Sequence, residues 1–415
     1  MIGFKQFFPE SYEKKDLDSV FDKIVAEKDT DITGYYNLPF ETKALDDTAA
    51  YIKRNANILS TLSHIVIIGI GGSSLGIKAL DNMLYHLPNR KDISLKFLEH
   101  TDPVKIKKSI KKIKLQSTLF IVISKSGTTI ETTSLMKYAV HTFSLLDKNL
   151  KQRLLVITDK DSKLHEWAKN HEVEHVCIKP NIGGRFCVLS SVGILALELL
   201  GYDVNAILRG ARVMATNFFE RREEHILQKA LFMAKHASTY RINILFSYSS
   251  SFSDFNLWYA QLWGESLGKI NKDGKNIGLT PIGLIGSIDQ HSFLQLILQG
   301  LKDKTVTFLG IHKDSYSEPS IPDINFKELE NTNFVNGISF AKLLSAQQIA
   351  TMQTIKEANI PLDSIELDHL NEESAGSLIM YYELLTSAVG CIFDINTYNQ
   401  PAVELGKAKL KTILN

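Results

Sequence analysis

The sequence predicts an α/β fold of two doubly wound, mainly parallel-sheet domains with a C-terminal helix. Three observations point to it. From about residue 45, short continuous apolar runs alternate with amphipathic stretches of helical period, the pattern of a sheet covered on both faces. A second set of strand-like runs begins near residue 241. Polar, glycine-rich or hydroxyl-rich loops follow the apolar runs, where open parallel sheets collect their ligands.

The first set of candidate strands is His64–Gly69, Ile93–Glu99, Thr118–Ser124, Leu154–Thr158 and His175–Lys179, with helical stretches around 75–87, 104–113, 129–145 and 162–170 between them. These spacings suit right-handed crossovers in a five-stranded unit. Beyond Gly184 the pattern is helical over Val188–Leu200 and Val204–Ser238. Strands are then expected at Arg241–Tyr248 and Lys304–Leu309, with long helical stretches between and after them. The resulting division is an N-terminal helical or irregular segment over 1–44, a first domain over 45–200 and a second over 201–415. Pro401–Leu414 opens with proline and reads as a final helix.

Composition narrows the partners. Lys and Arg number 47 against 46 Asp and Glu, so nothing in the charge balance calls for nucleic acid or an acidic membrane. The basic run Lys105–Lys114 carries Ile106, Ile110 and Ile113 at helical spacing, which reads as an amphipathic helix with a solvated lysine face. The three cysteines, Cys177, Cys187 and Cys391, form no CxxC pair, and no His/Cys cluster has zinc spacing, so no metal is expected. Reduced thiols, no apolar core of signal-peptide length at the N-terminus and no apolar run near 18 residues favour a soluble, unprocessed, cytoplasmic protein.

Two loops carry the strongest chemical signal. Gly69-Ile-Gly-Gly-Ser-Ser-Leu-Gly76 follows a strand, but Ser74 stands where a dinucleotide fingerprint needs its third glycine, and no Walker lysine follows. Ser124-Lys-Ser-Gly-Thr-Thr129 offers four hydroxyls in six residues. Helix capping by Thr129 or its neighbours accounts for one of them, and a phosphate cradle accounts for all four.

Other segments are individually ambiguous. Gly183-Gly-Arg-Phe186 is a turn with either a surface or a functional arginine. Gln261 and Glu265 lie four apart on a helix face, beside Trp258 and Trp263, where a solvated carboxylate is the plain alternative. His291, in Asp289-Gln-His-Ser-Phe293, reads as structural or catalytic. Gln400, Glu404 and Lys407 share a helical face that an exposed ion pair would also explain.

Taken in order, GIGGSSLG at 69–76, SKSGTTIET at 124–132, GGRF at 183–186, QLWGE at 261–265, QHSF at 290–293 and FDINTYNQPAVELGK at 393–407 resemble the phosphoglucose isomerase family. The resemblance implies two sugar-isomerase domains, a homodimer with its site between domains and at the subunit interface, and a sugar phosphate as the small-molecule substrate. The reaction it implies is reversible conversion of glucose 6-phosphate to fructose 6-phosphate without a cofactor. It assigns Gly72, Ser73, Ser124, Ser126 and Thr129 to phosphate binding, Arg185 to charge stabilisation, Glu265 to the catalytic base, and His291 with Lys407 to ring opening. His291 comes from the neighbouring subunit. Gln261 and Gln400 line the sugar. Cys187, in place of a hydroxyl residue, and Pro401-Ala402, in place of a bulky residue and glycine, depart from the family pattern. A sugar-phosphate sensor without catalysis, or an isomerase also accepting mannose 6-phosphate, are the alternatives.

Overall fold

The computed structural model describes residues 2–111, 113–312 and 319–414, so Lys112 of the basic run and the Glu404 side chain lie outside the described part. The strands in chain order are β1 (Ile2–Phe7), β2 (His64–Ile68), β3 (Ser94–Leu98), β4 (Thr118–Ile123), β5 (Leu154–Asp159), β6 (Glu174–Ile178), β7 (Ile242–Ser247), β8 (Lys269–Ile270), β9 (Asn276–Ile277), β10 (Thr280–Ile285), β11 (Lys304–Ile311) and β12 (Leu362–Leu367). The chain divides into two compact units. One comprises Val25–Ala215 and Tyr398–Asn415, the other Met1–Ile24 and Thr216–Thr397.

In the unit built on Val25–Ala215, five parallel strands run in the order β3-β2-β4-β5-β6. Strand order reverses between β2 and β4, which is the switch point of this doubly wound topology and the place where open sheets bind ligands. Alternate residues Val66, Ile68, Phe120, Val122 and Val156 pack on one face with Leu135, Met136 and Ala139 of the helix Ile130–Phe143. Ile65, Ile67, Ile121 and Ile157 point to the other face and are equally buried. Each such side chain contributes about 1.5–3 kcal/mol by leaving water. The helix Pro103–Ile110 starts with Asp102, whose carboxylate accepts the Val104 N–H at 2.9 Å. Its Ile106 and Ile110, with Ile113, pack against the same core, as the amphipathic reading requires.

The other unit repeats the order, β10-β7-β11-β12, in parallel, with β1 added antiparallel at the edge. Its core includes Ile244, Phe246, Val306, Phe308 and Leu362. The helix Glu372–Phe393 is long and on average apolar enough to cross a membrane, although Ser, Thr, Tyr and Glu residues break it into short apolar runs. Its residues from Ser374 to Gly390 are all buried inside the unit, which accounts for their composition.

Several boundaries differ from expectation. The stretch 1–44 is not a separate segment, because Ile2–Phe7 alternates in burial and pairs with Leu362–Leu367. Nor do the units divide at residue 200, and 398–415 belongs with Val25–Ala215. The helix expected over Val204–Ser238 breaks after Phe219, where Arg221 adopts φ +59 and its guanidinium bonds Asp18 at 2.7 Å and Glu224 at 2.6 Å. Strands β10 and β12 fall within stretches expected to be helical. Pro281 is tolerated in β10 because that strand is an edge, and Asp363 in β12 is buried against Lys229.

Candidate active site

In the unit built on Val25–Ala215, the two signature loops leave the carboxyl ends of β2 and β4 and therefore flank the switch point. Gly72 lies where an added Cβ would stand 2.2 Å from the Gly184 carbonyl, so only glycine lets the first loop meet the Gly183-Gly184-Arg185 turn. The Cys187 thiol donates to the Gly72 carbonyl at 3.6 Å, so this departure from the family pattern is absorbed as a loop contact. Ser73 is half-buried beside it.

The second loop is held from beneath. Ser124 is buried and its hydroxyl accepts the Gly127 N–H at 3.2 Å, while Gly127 has φ +70 and faces Leu164 at a distance that excludes any side chain. Thr158 donates to the Ser124 carbonyl at 2.7 Å. Ser126 and Thr128 are exposed and hydrogen-bonded to one another at 2.7 Å. Thr129 holds the N-cap position of the helix Ile130–Phe143, yet its hydroxyl makes no capping bond, contrary to the capping reading. The Ser124 and Thr129 hydroxyls stand 3.5 Å apart. Hydroxyls and first-turn N–H groups are thus gathered at a helix start, an arrangement suited to a doubly charged anion.

Arg185 is buried. Its guanidinium donates to the Gln400 side-chain oxygen at 3.0 Å and to the Asn399 carbonyl at 3.2 Å. Of the aromatic residues around it, Phe186 belongs to the GGRF motif, whereas Tyr35, Tyr36 and Tyr398 were not singled out from the sequence. Phe186 packs against a tilted Tyr35 ring and, edge to face, against Tyr398, with ring centroids at 4.8 and 5.3 Å, and the Tyr36 and Tyr398 hydroxyls meet at 3.2 Å. Tyr35 and Tyr36 lie far along the chain from every loop motif, and Tyr398 is unmarked within one, so spacing could not reveal them. Lys407 sits half-buried on the helix Ala402–Leu414.

The other unit carries Gln261, Glu265 and His291. Gln261 donates to the Glu265 carboxylate at 3.2 Å, four residues apart on the helix Ser253–Leu267. Both are half-buried. Trp258 and Trp263 turn into the core instead, where the Trp263 indole donates to Asn243 at 2.9 Å. His291 is exposed in a short turn after β10, pinned where Asp289 accepts the Ile285 N–H at 2.7 Å and the Ser292 hydroxyl at 2.7 Å.

Within this unit Glu265 and His291 are not neighbours. The helix Ser253–Leu267 runs back along β10, with Asn256 donating to the Leu284 carbonyl at one end and Gly264 against Pro281 at the other. Glu265 therefore lies beside the start of β10 and His291 in the turn after its end, and the six-residue strand itself spans about 17 Å.

The sequence profile of the phosphoglucose isomerase family matches residues 53–415. A glucose-6-phosphate isomerase of Campylobacter jejuni subsp. jejuni is 44% identical over 418 residues, covering 100% of each chain. One of Methanocaldococcus jannaschii is 31% identical, covering 95% of this chain and 93% of its own. Among solved structures, a hypothetical protein of Thermus thermophilus superposes with a TM-score of 0.87 at 28% identity, over 96% of this chain and 94% of that one. The fold is also that of a glucose-6-phosphate isomerase from Chlamydia trachomatis, with a TM-score of 0.81 at 22% identity over 99% of this chain and 88% of the other. On its sequence and its fold alike, the chain belongs to the phosphoglucose isomerase family.

Proposed function

We propose that this chain interconverts glucose 6-phosphate and fructose 6-phosphate by ring opening and proton transfer through an enediolate. The observation that carries the reading is the 44% identity to a glucose-6-phosphate isomerase over the whole of both chains. The roles are distributed over both units. Gly72, Ser73, Ser124, Ser126 and Thr129 hold the phosphate, which takes no part in the chemistry but places the far end of the sugar. Glu265 takes the proton from C2 and returns it to C1, a task for one carboxylate that can reach both carbons. Negative charge gathers on oxygen in the enediolate. Arg185 offsets it with a guanidinium that cannot lose its own proton.

His291 donates to the ring oxygen and Lys407 manages the anomeric hydroxyl, while Gln261 and Gln400 line the sugar. Because Glu265 and His291 stand at opposite ends of β10, a homodimer that brings His291 from the second subunit completes the site. No redox step occurs, so the reaction needs no redox cofactor. A cytoplasmic setting fits a glycolytic and gluconeogenic reaction of this kind.

A coupled assay with fructose 6-phosphate tests the reading. Wild-type turnover is expected, together with a loss of about 10²–10⁴ in Glu265→Gln that leaves binding of a sugar-phosphate inhibitor intact. A wild-type protein that binds the sugar phosphate but does not turn it over would point to a sensor instead.

A further inference from the structure

Three potential ligands that no spacing rule links converge at the edge of the first sheet. His175 and Cys177 lie two apart on β6 and so share one face of that edge strand. His165 reaches them from the helix Lys163–Asn170, which precedes β6. One donor atom from each of the three lies within 4.8 Å of the others, and the two imidazole rings meet edge to face with centroids at 4.8 Å. His165 is buried, whereas His175 and Cys177 remain partly open to solvent.

We propose that His165, His175 and Cys177 form a three-ligand site for a borderline divalent cation of the zinc class, clasping the edge strand β6 to the helix Lys163–Asn170. Two imidazoles and a thiolate suit such an ion, whereas Mg²⁺ and Ca²⁺ prefer oxygen donors. The orientation of His175 fits this use. Nδ1 of His175 lies 3.1 Å from the Val173 carbonyl, to which it can only donate, so Nε2 carries the lone pair.

Nδ1 of His165 accepts the Asp161 N–H at 2.9 Å and stands 3.7 Å from the Asp161 carboxylate. A cation taken on Nε2 moves the ring proton to Nδ1, which then gives up the Asp161 N–H and turns its new N–H toward the Asp161 carboxylate, as a histidine ligand does with an outer-shell carboxylate. The Cys177 S–H bond is replaced by a sulfur–metal bond, with one proton released to water. Ligand atoms around a tetrahedral zinc are about 3.5 Å apart, so closing from 4.8 Å takes roughly 1 Å of side-chain rotation.

None of the three residues has a role in the proposed isomerisation. Cobalt(II) added to the chelator-treated full-length protein under a non-thiol reductant should give a thiolate-to-cobalt absorption band that saturates at one equivalent and is displaced by Zn²⁺. The band should disappear in Cys177→Ala, persist in Cys391→Ala, and require at least tenfold more cobalt in His175→Gln. Independently of any variant, Zn²⁺ should slow alkylation of Cys177, followed by peptide mass spectrometry, at least tenfold. Absence of the band in the wild type, its persistence in Cys177→Ala, or an alkylation rate unaffected by Zn²⁺ would each overturn the proposal.

Discussion

The Arg185 guanidinium is clamped by the segment carrying Gln400: Nη1 donates to the Gln400 side-chain oxygen at 3.0 Å while Nη2 donates to the Asn399 carbonyl at 3.2 Å. Two acceptors met by two different nitrogens suit the rigid planar fork of a guanidinium, which lysine's single nitrogen cannot reproduce. Arg185→Lys should therefore lower kcat by about 10²–10³ with little change in KM, the mark of a group used in the transition state. Gln400→Ala leaves the Asn399 contact in place and should cost less than Arg185→Lys. Steady-state kinetics of the two variants decide it, and a larger loss in Gln400→Ala would reverse the assigned roles.

Glu265 and His291 belong to opposite ends of β10, so a complete site needs two chains under the proposed mechanism. Glu265→Gln and His291→Ala should each be nearly inactive alone. Mixed by unfolding and refolding together, they should regain activity, because one site in each mixed dimer then combines an intact Glu265 with an intact His291. No recovery despite mixed dimers in native mass spectrometry would remove the shared site.

The phosphate loops make a prediction of the opposite kinetic kind. Ser124 and Thr129 stand with their hydroxyls 3.5 Å apart at the end of β4 and the start of the following helix. Removing both, in Ser124→Ala with Thr129→Ala, should raise KM for fructose 6-phosphate by roughly tenfold or more, at about 1 kcal/mol for each lost hydrogen bond. An unchanged KM would mean that the phosphate is held elsewhere.

The first sheet was legible because β2, β4 and β5 are continuous apolar runs buried on both faces, a pattern with few competing readings. The second sheet was only half legible. In β12, Asp363, Ser364 and Glu366 interrupt the apolar run, and Asp363 is buried only because Lys229 and Thr307 meet it from distant parts of the chain. The site motifs could be read from their order, but the means of holding them could not. Tyr35, Phe186 and Tyr398 come together through tertiary packing, and the His165, His175 and Cys177 cluster spans a helix and an edge strand with no recognisable spacing.

The Asp363 carboxylate accepts from Lys229 at 2.7 Å and Thr307 at 2.7 Å, with His225 at 3.2 Å, all in the core. Burial opposes its charge, but Lys229 and His225 outweigh burial and hold its pKa at about 2. A carboxylate depressed from about 3.9 stabilises the fold above pH 4, and that contribution is lost as pH falls toward 2. Lys229→Ala should cost about 3–5 kcal/mol at neutral pH by leaving the carboxylate uncompensated, whereas Lys229→Met with Asp363→Leu should cost much less. Urea unfolding of the three proteins provides the comparison. Equal losses in the single and double variants would show that packing, not charge, sets the penalty.

Asp159 presents the reverse case at the end of β5. Its Oδ1 is buried without a hydrogen-bond partner, and burial raises its pKa to about 6 although Lys125 pulls the other way. The folded chain thus holds a proton that the unfolded chain, titrating near 3.9, has released. Stability must fall as pH rises from about 4 to 6, and the full cost is present above pH 6. Asp159→Asn keeps the shape and removes the charge. Because the carboxyl is partly exposed, the gain at pH 7.5 should be only about 1 kcal/mol, well under the figure that a two-unit shift implies in a dry site. At pH 4 the two proteins should unfold at nearly the same urea concentration. A gain of equal size at both pH values would place its origin in a new amide hydrogen bond, not in the buried charge.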